Sequence, residues 1–134
     1  MALYSRIVRV DPQTADEDAV LVRTEVREEV ITEAEVFIDN GSNGEVRVVL
    51  LDGETQIIPE QEGDAIAKPG TTGPVPLNHR LGGVPSFVTV KVWAPDADFS
   101  HEVIVSFETR PPEQVGQLDR LLSLFSPTDV SGQD

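Results

Sequence analysis

Phe87-Val88-Thr89-Val90-Lys91-Val92-Trp93-Ala94-Pro95-Asp96-Ala97-Asp98-Phe99-Ser100-His101-Glu102-Val103-Ile104-Val105-Ser106-Phe107 is the stretch that decides the fold class. Val88, Val90 and Val92 alternate with Phe87, Thr89, Lys91 and Trp93; Val103, Val105 and Phe107 alternate with Glu102, Ile104 and Ser106. A period of two, enriched in β-branched residues, belongs to strands that bury one face and wet the other. Pro95-Asp96-Ala97-Asp98 between them reads as a hairpin loop.

The same cadence extends upstream. Val20, Val22, Thr24 and Val26 alternate with Leu21, Arg23, Glu25 and Arg27. Ala34, Val36 and Ile38 oppose Glu33, Glu35, Phe37 and Asp39, and Val46, Val48 and Leu50 oppose Glu45, Arg47 and Val49. Between these runs, Asp39-Asn40-Gly41-Ser42-Asn43-Gly44 and Asp52-Gly53 supply residues that tolerate positive φ. Many short strands with turn signals at this spacing predict an all-β fold, an antiparallel β-sandwich or jelly roll.

Three parts follow from the punctuation. Residues 1–18 form an N-terminal arm or added strand, in which Leu3 to Val10 precedes the polar spacer Asp11 to Asp18. Such an arm folds back on its own sandwich or exchanges with a neighbour. Residues 19–110 are the jelly-roll domain. Residues 111–134 are a C-terminal helix and tail, because Val115, Leu118, Leu121, Leu122 and Phe125 recur at helical spacing after Pro111-Pro112. That short helix needs its own sandwich or a neighbouring subunit to dock on.

Within the domain, Pro59, Pro69, Pro74, Pro76 and Pro85 crowd one segment together with several glycines. Proline donates nothing to a ladder, so 59–85 reads as a long surface crossover that makes contacts.

The chain has 134 residues, with 24 Asp plus Glu against 10 Lys plus Arg, a formal charge of −14. This argues against a nucleic-acid groove, which needs cations to neutralise phosphates. Apolar runs no longer than Val48 to Leu51 argue against a membrane span. With no cysteine there is neither a disulfide framework nor a zinc–thiolate site. Met1 to Arg6 lacks the apolar stretch of a signal peptide, so synthesis in the cytoplasm is expected. The acids are dispersed, and the 8 Arg to 2 Lys fits either a salt-adapted protein or an ordinary acidic one.

Catalytic constellations are hard to find. His79 and His101 lie in separate segments without HxH or HxxxH spacing, so a metal site such as a cupin-like centre needs tertiary convergence. No G-x-S-x-G elbow occurs. Asp96 with Asp98, or Asp52 with Glu54, offers oxygen ligands for Ca²⁺ or plain turn chemistry. Trp93 reads as a core or interface anchor, or as a sugar-stacking platform. The expectation is a non-enzyme without catalytic residues, metal or cofactor. Its interface candidates are Leu3, Tyr4, Ile7, Trp93, Leu118, Leu121, Leu122 and Phe125.

One further pattern carries a resemblance. Val36-Phe37-Ile38-Asp39-Asn40-Gly41-Ser42-Asn43-Gly44 is followed by Val46 to Leu51, Asp52-Gly53 and Gln56-Ile57-Ile58-Pro59. After the crossover come Pro76-Leu77-Asn78-His79-Arg80-Leu81, Phe87 to Trp93, an Asp-rich loop and Phe99-Ser100-His101-Glu102-Val103. In this order, from about Val30 to Glu108, the chain resembles small jelly-roll proteins of tailed viruses that serve as capsid turret or decoration modules. The acidic, Lys-poor composition is similar to that of viruses of halophilic archaea. Where such proteins end with the last strand, this chain adds Pro111 to Phe125. The resemblance implies a virion structural protein on the particle exterior, bound to the major capsid protein and to copies of itself as a homo-oligomer. From the charge and the short apolar runs, no nucleic-acid or membrane partner is expected. A tail or baseplate module, or a glycan-binding sandwich using Trp93 and the 59–85 loop, is the alternative.

Overall fold

The computed structural model describes residues 2–82 and 85–111. They form eight strands: β1 (Ala2–Val10), β2 (Val20–Val26), β3 (Val30–Ile38), β4 (Arg47–Asp52), β5 (Thr55–Ile58), β6 (Gly70–Arg80), β7 (Ser86–Trp93) and β8 (His101–Arg110). The helical pieces among the described residues are two single 3₁₀ turns, Asp16–Asp18 and Asn40–Ser42.

The centre of the chain organises the rest. Asp52 pairs with Thr55 across the two-residue turn Gly53-Glu54, where Gly53 takes φ 60°. Tight hairpin turns need positive φ at that position, and glycine adopts it without a Cβ penalty. Outward from this turn the two halves of the chain pair antiparallel in nested order: β4 with β5, β3 with β6, β2 with β7, and β1 with β8. Successive pairs fall in opposite sheets, giving the orders β1-β8-β3-β6 and β2-β7-β4-β5. A long hairpin rolled in this way is a jelly roll, as the alternation predicts.

Each sheet turns one parity inward. Val8, Val10, Ala34, Val36, Ile38, Val103, Val105 and Phe107 from the first sheet meet Val26, Val48, Leu50, Val88, Val90 and Val92 from the second in one cluster. All are residues that the sequence pattern puts inside, apart from Val8 and Val10 of the arm. Each buried Val or Leu contributes about 1.5–3 kcal/mol relative to exposure, so the cluster supplies most of the folding drive.

The arm of residues 1–18 folds back. Ala2 to Val10 pairs along its length with Thr109 to His101, and Val10 is fully buried. The 59–85 crossover needs correction, because Gly70–Arg80 is an 11-residue strand. Its prolines are tolerated because β6 is the outer strand of its sheet, where a missing N–H breaks no ladder on the open side. Pro74 also lies in a bulge: Val36 pairs with Thr72 and Ala34 with Val75, so Gly73 and Pro74 together oppose Glu35. The hairpin expected at Pro95 to Asp98 also differs. β7 and β8 lie in different sheets, and residues 94–100 arch between them. Two strong strands joined by a short loop carry no local mark of whether they pair or stack. The predicted C-terminal helix falls outside the described residues.

Phe107 is 1% exposed and Ile104 37%, on the same strand. Phe107→Ala is expected to cost about 3–5 kcal/mol in denaturant unfolding, whereas Ile104→Ala should stay within about 0.5 kcal/mol. At Gly73 (φ 111°) a Cβ would stand 2.9 Å from both the Ala34 carbonyl oxygen and the Val75 nitrogen. Gly73→Ala is therefore expected to lower stability by about 1–3 kcal/mol by the same measurement.

Candidate interaction surface

The outward parity of the first sheet is unusually apolar for a wet face. Leu3 and Ile7 on β1 are 73% and 69% exposed. Register sets Ile7 opposite Ile104, and Ile104 opposite Phe37, making an apolar row across β1, β8 and β3. Charges frame it: Arg9 lies opposite Glu102, and Glu33 opposite Glu108. Apolar side chains clustered on a polar-rimmed surface mark places where proteins meet partners. Of this row, only Ile7 is among the interface candidates that the sequence offers. Phe37 and Ile104 stood in the outward parity of their strands, which was the available signal.

Tyr4, another interface candidate, points inward. Its ring stacks on Phe107 at 5.1 Å between centroids, and its hydroxyl donates to Glu28 Oε1 at 2.9 Å. The buried Thr109 hydroxyl donates to the same oxygen at 2.8 Å. Two residues along β1, Arg6 Nε donates to the buried Thr24 hydroxyl of β2 at 2.9 Å. Arg6 thus ties β1 to β2, and Tyr4 ties it to the β2–β3 turn, along one open side of the sandwich. Burial, with the hydrogen bond to Glu28, raises the Tyr4 pKa. Burial also works to raise that of Glu28, but the hydrogen bonds donated by Thr109 and Tyr4 outweigh it and the net shift is downward.

Trp93 ends β7 on the outer face of the second sheet, opposite Arg47. Lys91 Nζ sits 5.0 Å from its ring centroid, a cation–π contact that occupies one face of the indole. On the same face Arg23 lies 4.5 Å over Phe87, and Leu21 is 59% exposed. Leu118, Leu121, Leu122 and Phe125 fall outside the described residues.

The two histidines go to different carboxylates. His79 Nε2 on β6 donates to Asp52 Oδ2 at 2.9 Å, bridging the two sheets beside the β4–β5 turn. Near them the edges of β5 and β6 leave a groove of about 390 Å³ lined by Ile57, Ile58, Val75, Leu77 and His79. His101 Nδ1 donates to Asp39 Oδ1 at 3.0 Å, while Asp39 Oδ2 accepts the Glu102 backbone N–H at 3.0 Å. Asp39 thereby fastens the end of β3 to the start of β8. Neither pair gathers a third ligand: among the described residues no group of three His, Asp or Glu side chains is placed to hold a metal ion. Among the same residues no helix is long and apolar enough to cross a membrane.

Glu28 gives the surface a pH signature. A carboxyl whose folded pKa lies below its ordinary 4.5 adds stability above that pH and loses it as pH falls through the folded value. Glu28→Gln is therefore expected to narrow the stability difference between neutral and acid pH in parallel urea titrations. Equal slopes below pH 4.5 for the two proteins would show that the Tyr4–Glu28–Thr109 contacts carry no such linkage.

Neither the protein-family models nor the curated proteins compared with this chain gave a match.

Proposed function

We propose that this chain is a non-catalytic structural module of a virion, a jelly roll carried on the capsid exterior as a turret or decoration protein. It attaches to the major capsid protein and associates with copies of itself. The observation that carries the reading is the apolar row Ile7, Ile104 and Phe37, with Leu3 beside it, displayed on a rigid sheet face. A catalytic protein concentrates its chemistry in a cleft, whereas this chain presents an apolar row flanked by charged residues on an open sheet face, which suits assembly.

The charge supports the same placement. At −14 the surface repels packaged nucleic acid and faces solvent readily. The protein is made in the host cytoplasm and works on the particle. Its attachments are to protein, without cofactor, membrane or nucleic acid.

Purified particles from cells producing this chain are expected to contain its peptides at a copy number commensurate with the major capsid protein. Immunogold labelling should decorate intact, unopened particles. Particles that lack the peptides, or that react only after disruption, would sink the exterior role.

A further inference from the structure

Among the described residues the sandwich has four outer strands: β1 and β6 in the first sheet, β2 and β5 in the second. Three carry devices that discourage another strand from adding. β5 has four residues and runs into Pro59. β6 holds Pro74 and Pro76 and is bulged against β3. β2 presents Arg23 and Glu25 outward, with Arg27 paired to Glu25 at 2.8 Å. Short length, proline, bulges and charge are the usual protections of an open edge.

Of these, β1 carries charge alone. It runs for nine residues, Ala-Leu-Tyr-Ser-Arg-Ile-Val-Arg-Val, without proline, glycine or acid. Its outward face carries Leu3 and Ile7, among the most exposed large apolar side chains of the described residues. Its only charges are Arg6 and Arg9, in a chain of net −14.

We propose that β1 is a self-association strand, pairing antiparallel with β1 of a second copy about a two-fold axis at Ser5. The occupant follows from the strand's own symmetry. Pairing about Ser5 sets Leu3 of each copy opposite Ile7 of the other, which makes two apolar pairs on one face. Centring on Arg6 instead would oppose two guanidinium groups. Centring on Tyr4 or Ile7 would leave Leu3 without an apolar partner. Directly opposed side chains interact, and like charges there are unfavourable.

The Ser5 register also places Arg6 opposite Tyr4 of the second copy, whose hydroxyl rests on the Glu28 carboxylate. Each copy thus brings a cation to an acid of the other. The two first sheets then join into one eight-stranded sheet. On its outer face the row Phe37, Ile104 and Ile7 continues into Leu3 of the second copy.

The inference rests on the self-association in the function proposed above and names the surface that performs it. The chain has no cysteine, so Ser5→Cys introduces a single thiol. Opposed residues of an antiparallel pair lie about 4.5–5.5 Å apart at Cα, within disulfide range. Full-length Ser5→Cys is expected to cross-link to a dimer under mild oxidation. Arg9→Cys, whose equivalent positions would lie about 27 Å apart at 3.4 Å per residue, should not.

In light scattering the unmodified protein should be dimeric. Ile7→Lys should weaken the dimer at least about tenfold, and the double change Leu3→Asp with Ile7→Lys should restore it through two symmetric ion pairs. A monomeric protein, equal cross-linking at residues 5 and 9, or a dimer indifferent to Ile7→Lys would each overturn the proposal. These readouts use purified protein, so failure of the virion role leaves them standing. Conversely, a chain that is found on particles but stays monomeric would refute the strand pairing and the self-association while leaving the attachment to the capsid standing.

Discussion

Neither sheet can exist without the other. Each strand offers one apolar parity, so the first sheet's Val36, Val105 and Phe107 are stable only when Val48, Val90 and Val92 of the second close over them. The connectivity meets this demand at every step of the nested pairing. β3 and β6 lie in the first sheet, β4 and β5 in the second, so the sandwich is two layers thick from its central hairpin outward. Most contacts then join residues far apart in sequence, as in the pairing of Ala2 with Thr109. Such long-range pairing is slow to form but leaves a framework in which few side chains can move independently.

Closing the roll leaves the two open sides of the sandwich unequal. Along one, Tyr4 and Arg6 reach from β1 to Glu28 and Thr24, so polar contacts seam the layers. Along the other, His79 and Asp52 bridge β6 to β4, and a groove remains between β5 and β6. The seam matters for β1 in particular. Strand β8 holds it from one side only, and without the stacked Tyr4–Phe107 rings its first half would have little inward packing. Anchored on its inner face and one edge, β1 has no strand partner on its remaining edge among the described residues.

Period-two patterning made the architecture legible, because the parity of Val88, Val90 and Val92, or of Val103, Val105 and Phe107, is enforced by the core. Strand partnership was not legible in the same way. Whether β7 turns back on β8 in one sheet or arches to the other depends on the opposing layer, and residues 94–100 carry no local mark of it. β6 was hidden for a different reason: Pro74 and Pro76 look prohibitive until the strand is known to be an edge. Of the surface, Leu3 and Ile7 were readable as exposed apolar residues of an added strand. Tyr4 turned inward because its strand parity matches Val8 and Val10, a pattern already present in the arm. The Ile7–Ile104–Phe37 row needed three-dimensional register, since its members lie on strands far apart in sequence.

Charge and association constrain each other here. A molecule of net −14 repels its own copies, and at about 0.1 M salt that repulsion extends roughly 10 Å from each surface. Contact is then cheapest where acids are locally sparse. β1 is such a place: its nine residues hold two arginines and no carboxylate, while Glu33, Glu35, Glu102 and Glu108 lie on the strands behind it. Raising salt toward 1 M shortens the range to about 3 Å, which removes the general repulsion and would leave the proposed contact of Leu3 with Ile7 of a second copy intact. An acidic surface and an apolar edge are therefore compatible in one molecule. In the proposed pairing, salt would relax the charge that keeps copies apart, and the arginine-bearing edge would select where they meet.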